Sequence, residues 1–314
     1  MKKNGLVVLA VLLLNAGLVT AQKTDSVRAR ASYTYSIVED LTQPDKPREE
    51  QMILLLGKNA SVYTSIDKVM EGEKKKKEIE AMSKQLEQGI SNNFKMSPGK
   101  KVTANDIYMF RNEKKMFVKQ RIINNYLTED PLPVINWKIS NDTLTIAGLK
   151  CQKATAHVLG RDYEAWFSPD IPFSSGPWKL CGLPGLIVQA SDLKKEILFK
   201  FDGFETIKPG DLKPQVTKAS PEPSLPGKLM VIGGYDNVNL LTTALIELPK
   251  DAIKSTTKEV DNLREAMKKD PAGFINSSMA GQAGNVNVVV RSNPAAAGAK
   301  PAAVLNTIEL PEKK

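Results

Sequence analysis

The chain has 314 residues, of which 41% are apolar, 25% charged and 6% aromatic, a balance that excludes a chain disordered throughout. The formal net charge is +9. Its densest basic run, Lys74–Lys77, is flanked by glutamates, which favours a solvated helix face over a nucleic-acid site.

The N-terminal residues have the pattern of a secretory signal peptide. Two lysines precede an apolar run over residues 6–14, and small residues precede Gln22. We therefore predict a signal peptide over 1–21, with cleavage between Ala21 and Gln22. No cysteine stands there to be lipidated, and no later apolar run is long enough to cross a bilayer. We expect an exported protein, periplasmic or secreted, without a lipid anchor or a transmembrane span in the mature chain.

The first part of the mature chain alternates polar and apolar residues, which is typical of strands. After these strands, Ile79, Met82, Leu86 and Ile90 fall at helical spacing, which predicts an amphipathic helix over about 69–90. From residue 107 onward, short strand patterns recur around turn sequences. Two of the predicted hairpin turns are Asn141-Asp142 and Gly160-Arg161-Asp162.

These patterns predict a mainly β fold, α+β at most. We expect a single curved antiparallel sheet or partial barrel of hairpins, with one or two covering helices. The predicted β domain spans 22–250 and includes the helical insertion and a proline-rich connection over 208–228. Residues 251–314 are predicted to contain a C-terminal helix, a short strand over 286–290 and a flexible tail. Thr256 and Glu259 form the capping box of that helix.

Cysteine and histidine are scarce. An oxidising compartment favours a disulfide between the only two cysteines, Cys151 and Cys181, which would stabilise the fold by about 3–4 kcal/mol. Two buried free thiols are the alternative. The single histidine, His157, excludes zinc sites built on two or three histidines, and a Ser-His-Asp triad would have to use it. We predict no metal site, no cofactor and no catalytic residue.

One segment resembles a known family. Residues 182–187 are Gly-Leu-Pro-Gly-Leu-Ile, and they follow Gly176-Pro177-Trp178 and the stretch Arg161–Phe167. With Trp137-Lys138-Ile139 and Cys151–Ala154, these motifs resemble the GLPGLI family of exported bacterial proteins, most clearly over 137–190. The resemblance implies an exported protein typical of Bacteroidota, with a GLPGLI-type β domain and no established activity.

The same segment supplies the candidate contact residues. Pro184-Gly185 suits the centre of a type II turn, and Gly182, Pro184 and Gly185 form the turn motif. The functional interpretation is a surface that contacts a ligand or partner; the structural one is a turn that buries its own leucines. The candidate ligand or partner contacts are Arg161, Tyr163, Trp166, Trp178, Leu183 and Leu186.

The first hypothesis is a non-catalytic binding or scaffold protein of the cell envelope, which contacts an apolar ligand or another envelope protein. The second is a structural or adhesive envelope protein. The third is an envelope hydrolase that uses carboxylates, for which Asp162 and Glu164 share a strand face. The sequence favours a role without catalysis and leaves the oligomeric state open.

Overall fold

The structure, a computed structural model, describes residues 24–88, 99–208, 210–212, 240–271, 273, 274, 277 and 305–312. The helices are α1 (Ile66–Glu87) and α2 (Thr257–Lys269). The strands are β1 (Asp25–Ser26), β2 (Ala29–Ile37), β3 (Arg48–Leu56), β4 (Ala60–Ser65), β5 (Asp106–Phe110), β6 (Lys115–Arg121), β7 (Asn125–Pro131), β8 (Lys138–Ile146), β9 (Leu149–Val158), β10 (Arg161–Ser168), β11 (Leu186–Asp192), β12 (Ile197–Thr206), β13 (Leu245–Ile246) and β14 (Ile253–Lys254).

Twelve of these strands form one large, curved sheet that does not close into a barrel. Their order is β14-β7-β6-β5-β4-β3-β2-β12-β11-β10-β9-β8, and every pairing except the parallel β14–β7 contact is antiparallel. β1 and β13 form a separate two-stranded sheet. The predicted fold class, mainly β with a curved antiparallel sheet and covering helices, is confirmed.

The hairpin turns differ in position from the predicted ones. Asn141-Asp142 is not a turn, because β8 continues through it with an irregularity in its register against β9. The chain reverses at Ala147-Gly148 instead, and the next reversal is at Leu159-Gly160, just before Arg161. All four turn residues have positive φ, between 48° and 81°, which is the signature of two-residue type I′ hairpins.

Both helices begin at side-chain caps. The Oγ of Ser65 accepts a hydrogen bond from the Lys68 amide at 2.9 Å, so α1 starts before the predicted residue 69. The buried Ile79 confirms one position of its predicted apolar face. α2 has the predicted capping box, in which Thr256 and Glu259 each bond to the other's backbone amide, and Val260 is its buried residue.

Two apolar clusters stabilise the fold, one on each face of the sheet. The larger one combines inward-facing residues of β2, β3, β9, β10, β11 and β12 with the loop that follows β10. The smaller one lies on the other face of β3, β4 and β5, where β13 contributes Ile246 and the chain just after β1 contributes Val27. Because side chains alternate between the two faces along each strand, one sheet contributes apolar residues to both clusters.

Several predicted features lie outside the described residues. They are the signal peptide with Ala21 and Gln22, most of the 208–228 connection, the strand at 286–290 and the tail over 292–304. Among the described helices, none combines the length and the apolar character that a bilayer crossing requires.

Candidate functional site

The segment that resembles the GLPGLI family folds as two paired strands with a loop tucked against the sheet. β10 and β11 pair in antiparallel fashion, and residues 169–185 connect them. Because Trp178, Leu180, Cys181 and Leu183 of this loop join the larger core, we call residues 169–185 the plug. The plug therefore covers one face of the sheet with its own apolar side chains.

Aromatic packing and hydrogen bonds fix the plug to the strands around it. The ring of Trp178 lies 6.0 Å from that of Tyr163, and Trp178 is only 5% exposed. Trp178 also has a φ of 54°, a backbone conformation that bulky residues rarely adopt. The indole of Trp137 donates to the Cys181 carbonyl at 2.8 Å, and Arg111 donates to Ser175 Oγ at 2.7 Å. These contacts fix the plug in place as part of the core.

The turn motif has a different geometry from the predicted type II turn. The Gly185 amide donates to the Leu183 carbonyl at 2.9 Å, which closes a tight three-residue turn around Pro184. The Leu186 amide donates instead to Ile171 at 3.0 Å, so the four-residue bond of a type II turn is not made. Glycine is needed at 185 because a Cβ there would overlap the Ser168 carbonyl.

The predicted disulfide between Cys151 and Cys181 is not formed in the structure, in which both cysteines are free and buried. Each thiol faces a backbone carbonyl of its own: Leu149 at 3.5 Å from Cys151 Sγ, and Pro133 at 3.7 Å from Cys181 Sγ. Burial raises the pKa of both thiols, that of Cys181 to about 11. The structure therefore has the alternative arrangement, two buried thiols held in the protonated form.

Arg161 is the centre of a buried ionic cluster at the start of β10. Its Nη1 donates to Asp192 Oδ2 at 2.8 Å and to Glu196 Oε2 at 2.9 Å. The guanidinium is nearly inaccessible, since only 2% of the Arg161 side chain is exposed. A second Asp192 oxygen accepts the Ile197 amide at 2.9 Å. Two carboxylates thus compensate one buried cation within the sheet itself.

The remaining donors of Arg161 bind residues 305–312, a described stretch far along the chain. Nη2 donates to the side-chain carbonyl of Asn306 and, at 2.6 Å, to the backbone carbonyl of Thr307. Nε donates to the Ile308 carbonyl at 3.2 Å. A planar guanidinium with a fixed fan of donors suits three neighbouring carbonyl oxygens of one extended chain.

Further contacts hold both ends of the 305–312 segment. The Asn306 amide donates to the Glu39 carbonyl at 2.8 Å, and the Leu310 amide donates to the Leu159 carbonyl at 3.0 Å. The segment is extended: Asn306, Ile308 and Leu310 face the protein, while the residues between them are exposed. We call the surface beneath it, formed by Val38, Glu39 and Leu159–Arg161, the segment-binding site.

A charged cluster at the protein surface closes the far end of this site. Glu312 accepts the Gly160 amide at 3.0 Å and lies 3.0 Å from His157 Nε2. His157 Nδ1 lies 2.7 Å from Asp162. The hydrogen bonds to Asp162 and then to Glu312 raise the pKa of His157, because both favour the protonated ring.

The six predicted contact residues do not form one surface. Tyr163, Trp178, Leu183 and Leu186 are buried in the core, so their side chains present almost no area to a partner. Trp166 lies on the opposite face of β10, where its indole donates to Glu164 at 3.2 Å and Lys153 Nζ lies 5.9 Å from the ring centroid. Arg161 does contact residues 305–312 of the same chain, but it lies in the protein interior beneath that segment.

Sequence reasoning missed the partners of Arg161. Asp192 is the last residue of β11, and Glu196 lies in the turn that leads to β12. Charged residues are common at such turns, so neither one indicated a partner for Arg161. Asn306 is 8% exposed, and the stretch from Leu305 to Leu310 alternates polar and apolar residues only from Thr307 onward. That short alternation is a weak signal for a half-buried segment, and it does not include Asn306.

These features define a mainly β protein whose curved sheet is covered by a plug and binds an extended segment of its own chain. Over residues 160–189 the chain matches the family model described as "Protein of unknown function (Porph_ging)", which is the GLPGLI family, found in Bacteroidota. The predicted family resemblance is confirmed on these residues, which include Arg161, the plug and the start of β11.

Other comparisons add a structural likeness. Two solved structures of PNGF-II, in the P21 and C2 space groups, are similar at 14% sequence identity, with TM-scores of 0.39 and 0.38. They match 60% and 57% of this chain, which spans only 29% and 28% of theirs. No curated protein sequence matches this chain.

Proposed function

We propose that the protein is an exported, non-catalytic binding or scaffold protein of the cell envelope, and that its partner is another envelope protein. The observation that carries the proposal is the segment-binding site, which holds an extended chain through its backbone. Arg161 and the backbone of Glu39 and Leu159 contact the backbone of the segment at four positions, 306, 307, 308 and 310. Main-chain contacts of this kind suit protein segments.

The plug supports a protein partner over an apolar ligand. An apolar ligand needs an open apolar cavity, and such a cavity would be lined by the sheet face that carries Tyr33 and Tyr163. In this structure that face packs against Trp178, Leu180 and Leu183, each at most 5% exposed. Binding on the plug-covered face would require the plug to leave a close-packed core.

The ionisable groups support a role without catalysis. Asp106 is buried among Thr64, Lys68 and Lys119, and it ties β5 to α1 and β6. Asp162 and Glu164, the candidate hydrolase pair, lie on the outer face of β10, where each binds a neighbouring cationic or titratable side chain. Paired carboxylates for hydrolysis need to converge on a substrate in a cleft. This outer sheet face provides no such convergence.

A structural or adhesive role is the second candidate, and the edge strand β8 favours it. β8 is the last strand of the sheet, it is mostly exposed, and Ile139 and Leu144 are 48% and 49% exposed. An exposed edge can pair with another chain. The irregular register between Ile139 and Thr143 interrupts the edge, which ranks this role second. Sedimentation velocity over a range of concentrations tests it: edge pairing predicts growing assemblies, and a constant monomer contradicts it.

Export has a direct test. The protein is isolated from the envelope fraction of its own cells under thiol-trapping conditions, and its intact mass is measured. A chain that begins at Gln22 supports export with cleavage after Ala21, and an uncleaved chain in the cytoplasm contradicts it. The same mass reports the trapped thiols after unfolding: two agree with the structure, and none would show that Cys151 and Cys181 pair after export.

The proposed partner is tested with two matched glycine variants. A Cβ at Gly160 would overlap the Leu310 carbonyl, whereas one at Gly148 meets nothing within 4 Å; both glycines have φ near 80°. Envelope proteins are cross-linked to immobilised wild type, Gly160→Ala and Gly148→Ala. A partner cross-linked to wild type and Gly148→Ala at residues around the segment-binding site supports the proposal. Failure to cross-link any protein there, with all three chains folded, overturns it.

A further inference from the structure

The segment-binding site recognises side chains as well as backbone. The Asn306 amide group is satisfied on both sides: its oxygen accepts from Arg161, and its nitrogen donates to the Val38 carbonyl at 2.9 Å. An aspartate there would lack the donor, and an aliphatic residue would leave a buried guanidinium donor and a carbonyl unpaired. Because unpaired buried polar groups are costly, this position is selective for asparagine.

Two basic side chains contact acidic residues farther along the segment. Lys179 of the plug lies 2.7 Å from Glu309, and His157 lies 3.0 Å from Glu312. Ile308 packs against the larger core between them. The occupied site therefore contacts an asparagine, an aliphatic residue two positions after it, a glutamate three positions after it and a carboxylate six positions after it.

Arg161 keeps both of its carboxylate partners without the segment. Asp192 and Glu196 compensate Arg161 within the sheet, and Leu159-Gly160 is fixed by its own hairpin. The segment, in contrast, has exposed residues at alternate positions, and Leu305 is 76% exposed. The segment belongs to the same chain as the site, so it competes intramolecularly with any partner segment.

We propose that the segment-binding site is a receptor for an extended segment of another protein with this asparagine, aliphatic and acidic pattern, and that residues 305–312 are its resident occupant. This inference rests on the proposed binding function and names its partner by chemistry. A partner segment binds by displacing the resident one, so the resident segment limits the apparent affinity for any partner. Charge complementarity with Lys179 and His157 and the seated resident segment carry the assignment.

The test uses full-length protein and a fluorescein-labelled synthetic peptide of the sequence Leu305–Glu312. Asn306→Ala in the protein weakens the resident segment and leaves the site intact. We expect the peptide to bind the Asn306→Ala chain at least about tenfold more tightly than wild type, because its tethered competitor is weaker. Fluorescence anisotropy measures the affinity, and amide exchange of residues 305–312 confirms that the resident segment has been released.

Matched variants locate the binding. In the Asn306→Ala background, adding Gly148→Ala leaves peptide binding unchanged, and adding Gly160→Ala abolishes it, because its Cβ blocks the position of Leu310. A peptide with alanine for asparagine binds at least about tenfold more weakly, since one donor of Arg161 and the Val38 carbonyl then lack a partner. Equal binding to all chains, or no binding once exchange shows that the segment is released, overturns the inference.

The outcomes also separate this inference from the proposed function. Peptide binding with the expected pattern, but with no envelope protein cross-linked at the site, supports the inference and counts against the proposed function. An envelope protein cross-linked equally to the Gly160→Ala chain supports a binding function and overturns this site as its receptor. If wild-type chains form dimers by exchanging residues 305–312, the occupant is a second copy, and the assignment to another protein is wrong.

Discussion

The plug and the 305–312 segment both pack against the larger core, but different forces hold them. The plug is covalently fixed at both ends by paired strands, and it buries Trp178, Leu180 and Leu183. The 305–312 segment buries mainly Asn306 and is held by hydrogen bonds and ion pairs. Apolar burial makes the plug a permanent part of the fold, whereas the hydrogen bonds and ion pairs of the segment can be exchanged for equivalent ones with another chain.

The largest expected effect comes from breaking the plug. Trp178→Ala removes a buried indole that packs on Tyr163, so we expect the free energy of unfolding to fall by about 3–5 kcal/mol. Trp166→Ala removes the same atoms from the half-exposed outer face, and we expect a loss of about 1 kcal/mol. Urea denaturation measures both. Equal losses would show that the plug is not a structural part of the core.

Arg161→Lys is expected to have an intermediate effect, because Arg161 serves both regions. A lysine keeps the positive charge opposite Asp192 and Glu196 but lacks the planar fan of donors. We expect a loss of about 1.5–3 kcal/mol from the hydrogen bonds to the 305–312 segment. Amide exchange should rise over 305–312 and stay near wild type in β10. An equal rise in amide exchange throughout the sheet would contradict the expectation that the loss is confined to the 305–312 segment.

The two hairpin glycines give a smaller and more local effect. Gly148→Ala and Gly160→Ala each place a side chain at positive φ, which costs about 1–2 kcal/mol. Only Gly160→Ala also meets Leu310, so only this variant should lose amide protection at Leu310. Hydrogen exchange followed by mass spectrometry measures the difference. Protection at Leu310 that is the same in both variants would show that the contact with Gly160 does not hold the segment.

The smallest expected effect is a pH dependence of the segment alone. The pKa of His157 is raised by Asp162 and Glu312, so its contribution is fully present below the ordinary histidine value of about 6.5 and is lost as pH rises through the raised pKa. His157→Gln removes this titration. The ratio of Leu310 protection in wild type to that in His157→Gln cancels the intrinsic pH dependence of exchange. We expect the ratio to exceed one near about pH 6 and to approach one by about pH 9.

A ratio that stays constant over this range would contradict a role for His157 in holding Glu312. Trp178→Ala in the same background is the matched plug control, because its stability loss should not follow the titration of an exposed imidazole. The four predictions together rank the forces: burial of an indole first, the guanidinium next, then one main-chain contact and last one exposed ion pair.

Local patterns in the sequence were sufficient for much of the fold. Alternation located β2 and β4, the strand patterns on either side of Gly160 located β9 and β10, and the spacing around Ile79 located α1. The Thr256 capping box predicted the start of α2 within one residue. Each of these signals depends on neighbours within a few positions, where hydrogen-bond geometry and side-chain direction follow directly from the residue types.

Features set by distant contacts were not predictable in this way. β7 is largely polar, and its sequence has no alternation that would predict a strand. It is a strand because it pairs with β6. Asn141-Asp142 has turn residues but lies in an irregular stretch of β8, between the pairs that Ile139 and Thr143 make with β9. The contact between Arg161 and Asn306 joins residues 145 positions apart, and no local pattern at either residue indicates the other.

Arg161 has a consequence for how variation at this position would be interpreted. One guanidinium forms ion pairs with two carboxylates at the end of β11 and in the turn that follows, and it also donates to the carbonyls of a separate chain segment. A screen for loss of partner binding would therefore recover substitutions here as unstable proteins and discard them. Separation-of-function alleles should come from side chains that join the segment to its site, with Asn306 of the segment and Lys179 of the plug as the first positions to sample.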